Sequence, residues 1–227
     1  MFCGELTLTT LAHDRVVSKR WRCKTWRCPE CRPMLTRRVI ARALDGRPNT
    51  LLTLTTSPTV EPDPHRAAEM LYRAWRRLIR ALRRQYPEHN IQYMVIWEAT
   101  KRGHPHIHVL LRAPYIPQRM ISDFMAREIG APVVDIRRIR SKKHVANYVA
   151  KYLAKSPHAF AGRQRFHCSR RWRLTPDPWK TDPSRRIPGR WHLVLTQLPY
   201  WAQVLSRDGY KVHWIRDDTL IAIRGDP

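Results

Sequence analysis

The stretch Trp97–Arg112, WEATKRGHPHIHVLLR, decides the fold expected for this chain. A basic turn that contains glycine and proline separates a run ending near the carboxylate Glu98 from an apolar run that opens with His106 and His108. Turn residues between two such runs indicate a β-hairpin. Because side chains alternate across a strand, the two histidines are expected to share one face of the sheet.

This hairpin also predicts a metal site. If Ile91–Ala99 is the partner strand, Glu98 lies on the same face as His106 and His108. Neutral imidazoles and carboxylates are good ligands for divalent metals. We therefore expect a site formed by these three residues, with open positions for a substrate. The alternative interpretation is a pair of strand histidines on a solvated face.

Hydrophobic periodicity extends the hairpin into an α+β fold. Strand patterns precede and follow the hairpin, at 49–56 and 133–139. Helical patterns cover residues 33–44, 64–85, 116–129 and 142–155. The order strand, helix, strand, strand, helix, strand, helix predicts an antiparallel five-stranded sheet with helices packed mainly on one face.

The chain divides into three segments by composition. Residues 1–45 hold a cysteine-rich segment and a basic helix, and 46–160 form the expected core. Residues 161–227 are a basic extension rich in tryptophan and proline, and its last part, from Trp191, predicts a small unit of one strand, one helix and two strands. We expect residues 156–190 to be irregular.

Four cysteine-bearing positions near the N-terminus predict a zinc knuckle. The chain has five cysteines and no export signal, so metal binding is favoured over disulfides. In Cys28-x-x-Cys31 a tight turn lets two thiolates bind one zinc, and Cys23 is a third ligand. The fourth ligand stays open among these candidates, in decreasing order of preference: Cys3, His13, and the remote pair Cys168 and His167.

The charge of the chain predicts a nucleic-acid partner. There are 43 lysines and arginines against 18 aspartates and glutamates, a formal net charge of +25, together with nine tryptophans and eight tyrosines. Distributed basic and aromatic residues suit phosphate contact and base stacking. The expected phosphate contacts are Lys24, Arg27, Arg102, Lys142 and Lys143.

No feature of the sequence predicts a membrane location. There is no run of about 18 apolar residues that would span a bilayer. The N-terminus lacks the charged and apolar order of a signal peptide. We therefore expect a cytoplasmic protein of a bacterial host cell with no membrane partner.

The helix predicted at 142–155 adds candidate catalytic residues. Tyr148 and Tyr152 are four positions apart, as are Lys151 and Lys155, so each pair shares a helix face. Such residues are also common on ordinary amphipathic helices. Beside a metal site, however, a phenolate can act as a nucleophile, Mg²⁺ or Mn²⁺ can polarise a phosphate, and a lysine can stabilise the developing charge.

Three motifs resemble, in order, those of the rolling-circle replication-initiation (Rep) proteins of the HUH endonuclease superfamily. They are Leu51–Thr55 (LLTLT), His106-Ile107-His108, and Tyr148–Lys155 (YVAKYLAK), the last similar to the two-tyrosine motif of filamentous phages, microviruses and plasmids. The resemblance covers about residues 20–175. It implies a ferredoxin- or RNA-recognition-motif-like fold, with Glu98 completing the metal site.

The resemblance also implies an activity. Such a protein nicks and rejoins single-stranded DNA at an origin through a covalent 5′-phosphotyrosine intermediate, starting rolling-circle replication of a phage or plasmid. Because the chain has no P-loop motif, a host helicase and a polymerase are expected partners. Two alternatives are a transposase or relaxase-like strand transferase, and a non-catalytic zinc-containing nucleic-acid-binding protein.

Overall fold

A computed structural model describes residues 3–12, 15–155, 160, 162–176 and 189–224. Within these residues the chain forms two compact units. One combines the chain before Thr36 with the chain after Thr175, and the other is Thr36–Thr175. The N-terminal and C-terminal segments, which composition separates, therefore share one unit.

Helices and strands alternate along the described chain. Its strands are β1 (Thr7–Ala12), β2 (Arg15–Arg20), β3 (Thr50–Thr55), β4 (Gln92–Ala99), β5 (Pro105–Arg112), β6 (Val134–Arg138), β7 (Phe166–Cys168), β8 (His192–Val194), β9 (Tyr210–Arg216) and β10 (Thr219–Arg224). Its helices are α1 (Arg32–Asp45), α2 (Pro64–Gln85), α3 (Gln118–Ile129), α4 (Lys142–Ala154) and α5 (Leu198–Arg207). In each helix of this set, length and apolar character fall short of what a bilayer span requires.

The larger unit is built on an antiparallel sheet with the strand order β6-β3-β5-β4-β7. The sequence of elements β3-α2-β4-β5-α3-β6 is the βαββαβ arrangement of ferredoxin-like folds, and β7 extends it at the β4 edge. The predicted α+β class and five-stranded antiparallel sheet are confirmed. The strand β7 is a correction, because it lies in the 156–190 stretch expected to be irregular.

One face of this sheet carries the main hydrophobic core. Ile107, Val109 and Leu111 of β5 alternate onto that face and pack with Trp75 and Leu78 of α2. All five are almost completely buried. Each such side chain contributes roughly 1.5 to 3 kcal/mol of hydrophobic stabilisation. This core holds β5 rigidly in the middle of the sheet and sends His106 and His108 to the opposite face.

The boundaries of the helices have local causes. Asp63 caps α2 by accepting a hydrogen bond from the backbone N–H of Arg66 at 2.7 Å. Gly130 ends α3 in the left-handed conformation with φ of 62°, which glycine adopts without strain. Ser141 caps α4 by accepting from the backbone N–H of His144 at 3.1 Å. Helices thus lie mainly on the core face, as predicted, while the tyrosines of α4 contact the histidine face.

The smaller unit has its own antiparallel sheet, with the order β8-β1-β2-β10-β9. Leu198 and Leu205 of α5 pack against Leu220 and Ala222 of β10. The predicted small α+β extension is therefore confirmed. Its strands complete the N-terminal hairpin, because β10 pairs with β2 and β8 pairs with β1.

Candidate active site and cysteine cluster

The histidine face of the larger sheet gathers polar residues from three neighbouring strands. Glu98 of β4 is paired in register with His106 of β5. His108 is paired with Ile96 on one side and with Thr53 of β3 on the other. Paired residues of antiparallel strands point to the same face, so Thr53, Glu98 and both histidines share it. The orientation predicted for the hairpin is the observed one.

His108 joins Glu98 to a tyrosine of α4 by hydrogen bonds at both ring nitrogens. Its Nε2 lies 2.8 Å from Glu98 Oε2, and its Nδ1 lies 3.1 Å from the Tyr148 hydroxyl. Thr53 Oγ1 approaches the same Nδ1 at 3.2 Å and the same hydroxyl at 3.3 Å. The second oxygen of Glu98 forms an ion pair with Lys155. We call Tyr148, His108, Glu98 and Lys155 the polar row.

The two tyrosines stack beside His108. The centroids of the Tyr152 and His108 rings are 3.6 Å apart, and those of Tyr148 and Tyr152 are 4.7 Å apart. The Nζ atoms of Lys151 and Lys155 lie 5.6 Å and 5.2 Å from the Tyr152 ring centroid. The four residues predicted from the helix pattern therefore lie against the histidine face, although Lys151 and Lys155 themselves are exposed.

Burial and hydrogen bonding set the charges of this site. Burial disfavours the charged form of Glu98, but hydrogen bonds from His108 and Lys155 outweigh it and lower the Glu98 pKa to about 2. Burial lowers the pKa of His108, with the Glu98 carboxylate opposing that shift. A neutral His108 beside a carboxylate donates through Nε2, which leaves Nδ1 as an acceptor for the Tyr148 hydroxyl. Burial also raises the pKa values of Tyr148 and Tyr152, so both phenols are protonated at rest.

His106 stands apart from this row. Its ring centroid is 6.2 Å from that of His108, and its Nδ1 atom is buried without a hydrogen-bond partner in the described structure. Burial, and then the neighbouring His108, lower the pKa of His106. In this structure both nitrogens of His108 and both oxygens of Glu98 have protein partners. The metal site of Glu98, His106 and His108 stays a prediction, and the unpartnered nitrogen is the feature that fits it.

The cysteines of the N-terminal segment form a compact cluster. The Sγ atoms of Cys3, Cys23, Cys28 and Cys31 lie within 4.8 Å of one another. The Cys3–Cys31 distance is 3.3 Å and the Cys23–Cys31 distance is 3.8 Å. Four sulfurs around a tetrahedral zinc with Zn–S bonds of about 2.3 Å are separated by about 3.8 Å, so the cluster can hold such a metal.

The cluster answers which residue accompanies the three predicted ligands. Cys3, the first choice, occupies that position. His13 lies outside the described residues, while Cys168 and His167 belong to β7 of the other unit. Burial raises the pKa of the Cys3 thiol to about 12, whereas hydrogen bonds from Thr25 lower the pKa of Cys23 to about 6. Metal binding would therefore release protons from the buried thiols.

The basic residues expected to contact phosphates are all exposed. Lys142 and Lys143 open α4, the helix of the tyrosines, and Arg102 lies in the turn of the β4–β5 hairpin. Lys24 and Arg27 lie in the loop between the second and third cysteines of the cluster, in the other unit. Their contact with DNA stays a prediction.

Two residues of the site were not predicted from the sequence. Thr53 lies in the predicted LLTLT strand, but only the register with β5 shows that it contacts His108. His104 was assigned to the turn and left out of the metal set. The structure buries it to 4% exposure, and its Nε2 has no hydrogen-bond partner among the described residues. The proline and glycine around His104 gave no signal of that burial.

Comparison with known proteins gives one match. Residues 49–157 match a family model for replication-associated proteins of the ORF2 type. The matched segment is just under half of the chain and contains Thr53, Glu98, both histidines of β5 and both tyrosines of α4. Searches among curated proteins and among solved structures give no match. The family match supports a Rep-like replication protein that binds DNA.

Proposed function

We propose that this protein initiates rolling-circle replication of a phage or plasmid by cutting one DNA strand at an origin and joining the new 5′ phosphate to a tyrosine. The family match supports a role in replication. The formal net charge of +25 supports a nucleic-acid substrate. Exposed Arg102, Lys142 and Lys143 flank the polar row on the hairpin turn and on α4, where they can hold the phosphates of a bound strand.

One observation carries the chemical part of the proposal. The Tyr148 hydroxyl is hydrogen-bonded to His108, whose other nitrogen is hydrogen-bonded to Glu98. A nucleophile, a base and a carboxylate that orients the base form the arrangement by which enzymes activate hydroxyl groups. In this arrangement His108 accepts the phenolic proton, and Glu98 stabilises the resulting imidazolium.

The reaction then conserves atoms and charge. The Tyr148 oxygen attacks the scissile phosphorus, and the bond between phosphorus and the 3′ oxygen breaks. His108 returns the proton to that 3′ oxygen, leaving a free 3′ hydroxyl and a 5′-phosphotyrosine. The released hydroxyl can prime synthesis by a polymerase of the host, with a host helicase opening the duplex. The reverse reaction, with the same groups, rejoins the strand.

Tyr152 and the lysines complete the proposed site. Tyr152 stacks on His108 and is the second candidate nucleophile, which would accept the strand when the circle is released. Lys151 and Lys155 lie near its ring, where their charges can stabilise a phenolate or the developing charge on the phosphate. A Mg²⁺ or Mn²⁺ ion held by Glu98, His106 and His108 would polarise the scissile phosphate as a Lewis acid.

The proposal is tested by trapping the covalent adduct. The full chain is incubated, with and without Mg²⁺ or Mn²⁺, with a pool of end-labelled single-stranded oligonucleotides of random sequence, and adducts are separated on a denaturing gel. Tyr148→Phe together with Tyr152→Phe should abolish the adduct. Tyr115→Phe is the matched control, because Tyr115 is 84% exposed and lies before α3. Sequencing of the DNA in the adduct would also define the cut site.

The same assay separates the alternatives. An adduct that persists in the double tyrosine variant would show that another residue is the nucleophile. Binding of DNA without any adduct would favour a non-catalytic zinc-containing protein. Preferential cutting of hairpin DNA would favour a transposase or relaxase-like strand transferase.

A further inference from the structure

The β7 edge of the larger sheet carries aromatic side chains that the proposed reaction does not use. His167 of β7 is paired with Val95 and lies on the core face of the sheet, as does Tyr93. The His167 ring centroid is 6.0 Å from that of Tyr93 and 6.5 Å from that of Tyr72 of α2. All three rings are half-buried. This aromatic edge, formed by Tyr72, Tyr93 and His167, faces away from the side of the sheet that carries His108.

Arginines lie over these rings. The guanidinium carbon of Arg163 is 3.8 Å from the Tyr72 ring centroid, and that of Arg76 is 5.7 Å from it. The guanidinium carbon of Arg83 is 5.8 Å from the Tyr93 ring centroid. Cation–π attraction keeps positive charge next to each aromatic face. Arg76 and Arg83 are exposed, so this charge is presented to solvent.

Two cavities flank the aromatic edge. The larger, of about 620 Å³, lies at the start of β4 and is lined by residues that include Arg83, Gln92, Tyr93, Arg170 and Arg171. The smaller, of about 290 Å³, is lined by Tyr72, Trp97, Gly162, Arg163, Gln164 and His167. These volumes are in the range of small-ligand sites. The edge therefore offers two recesses separated by aromatic rings.

The charge at the larger cavity is strongly positive. Arg170 and Arg171 are exposed, and neither has a carboxylate within ion-pair distance in the described ranges of the chain. Glu88 is a carboxylate in the lining of this cavity, and it pairs with His89 at 2.8 Å. Arg83 uses its guanidinium to donate to the Ile91 carbonyl at 3.0 Å, which fixes its position. The cavity thus keeps uncompensated positive charge.

We propose that the aromatic edge and its two cavities form a track for single-stranded DNA, separate from the tyrosines. Unpaired bases stack on Tyr72, Tyr93 and His167, and the backbone phosphates contact Arg170 and Arg171. Aromatic rings next to a basic groove are the arrangement by which proteins hold single strands without reading their sequence. Half-buried rings between recesses contact splayed bases, whereas the bases of a duplex are stacked inside the helix. The track holds a strand whether or not Tyr148 and Tyr152 cut it.

The test measures binding without cleavage. The full chain with Tyr148→Phe and Tyr152→Phe is titrated with a fluorescent oligothymidylate of about 16 nucleotides, and anisotropy is recorded over a series of NaCl concentrations. Each phosphate contact contributes about 0.7 to the slope of log K against log salt for single strands. Adding Arg170→Ala and Arg171→Ala should therefore reduce that slope by about 1.4. The matched control, Arg119→Ala with Arg127→Ala on α3, should leave it unchanged.

The arginine variant keeps the fold, because Arg112 contacts position 171 through its backbone carbonyl and not through its side chain. An unchanged slope in this variant would overturn the track. A second arm compares the oligothymidylate with an abasic strand of equal length, which should bind roughly tenfold more weakly because it cannot stack. Equal binding of the abasic strand, or an equal loss of affinity for duplex DNA, would overturn the assignment to single strands. Both readouts are independent of the covalent adduct.

Discussion

Replacement of Glu98 by glutamine tests the polar row most directly. In the protein one oxygen of Glu98 accepts from His108 Nε2 at 2.8 Å, and the other lies against the Lys155 ammonium group. An ammonium group only donates, so the carbonyl of the introduced amide must face Lys155. Its NH₂ group then faces His108, which must place its own proton on Nδ1. That proton points at the Tyr148 hydroxyl, so His108 can no longer accept the phenolic proton.

The expected loss of rate follows from this change of tautomer. A positioned general base contributes about 10² to 10⁴ in rate, which corresponds to about 3 to 5 kcal/mol of barrier. The side chain keeps its size, and Lys155, 47% exposed, can be solvated by water. We therefore expect Glu98→Gln to fold normally and to form the adduct about 100- to 10,000-fold more slowly.

Single-turnover adduct formation on a denaturing gel measures this rate. Glu128→Gln is the matched control, since it removes a carboxylate from the surface pair with Arg77 and should react at the parental rate. Adding Lys155→Met to Glu98→Gln lets the carbonyl turn towards His108 and should restore part of the rate. A parental rate for Glu98→Gln alone would refute the reasoning. Full recovery by added Mn²⁺ would show that Glu98 acts only as a metal ligand.

Two further predictions concern the metal cluster and the core. Cys3→Ser should lower the zinc content measured by mass spectrometry, while Cys168→Ser, outside the cluster, should keep the parental content; equal zinc in both variants would exclude Cys3 as a ligand. Ile107→Ala should lower the free energy of unfolding in urea by about 2 to 4 kcal/mol, because a fully buried isoleucine leaves a cavity. Ile215→Ala, at a position 53% exposed, should change it by less than about 0.5 kcal/mol, and similar losses for both variants would contradict the core assignment.

Local patterns predicted most helices and strands of the described chain. The apolar positions of α2 repeat at helical spacing, and the alternation in β5 sets His106 and His108 on one face, so both elements followed from backbone geometry. The strand β7 was not predicted, because three residues between basic and irregular segments carry no period. Its formation depends on pairing with β4, which only the assembled sheet provides.

Pairing between distant segments also explains the other differences. Composition separated the N-terminal segment from the C-terminal extension, yet β10 completes the sheet of β1 and β2. Such pairing depends on register and on shared core residues such as Val16 and Leu220, which have no local signature. For the same reason Thr53 could be predicted as a strand residue but not as a partner of His108.

The sequence by itself determined that Tyr148 and Tyr152 share a helix face, that Glu98 and the histidines belong to one hairpin, and that Cys28 and Cys31 form a knuckle. These relations span few residues and follow from the fixed repeat of helices, strands and turns. Only the tertiary structure decided that Tyr148 binds His108, that Glu98 also pairs with Lys155, and that Cys3 joins the cluster. Those contacts join residues far apart in the chain, so they depend on sheet register and packing, which no local pattern encodes.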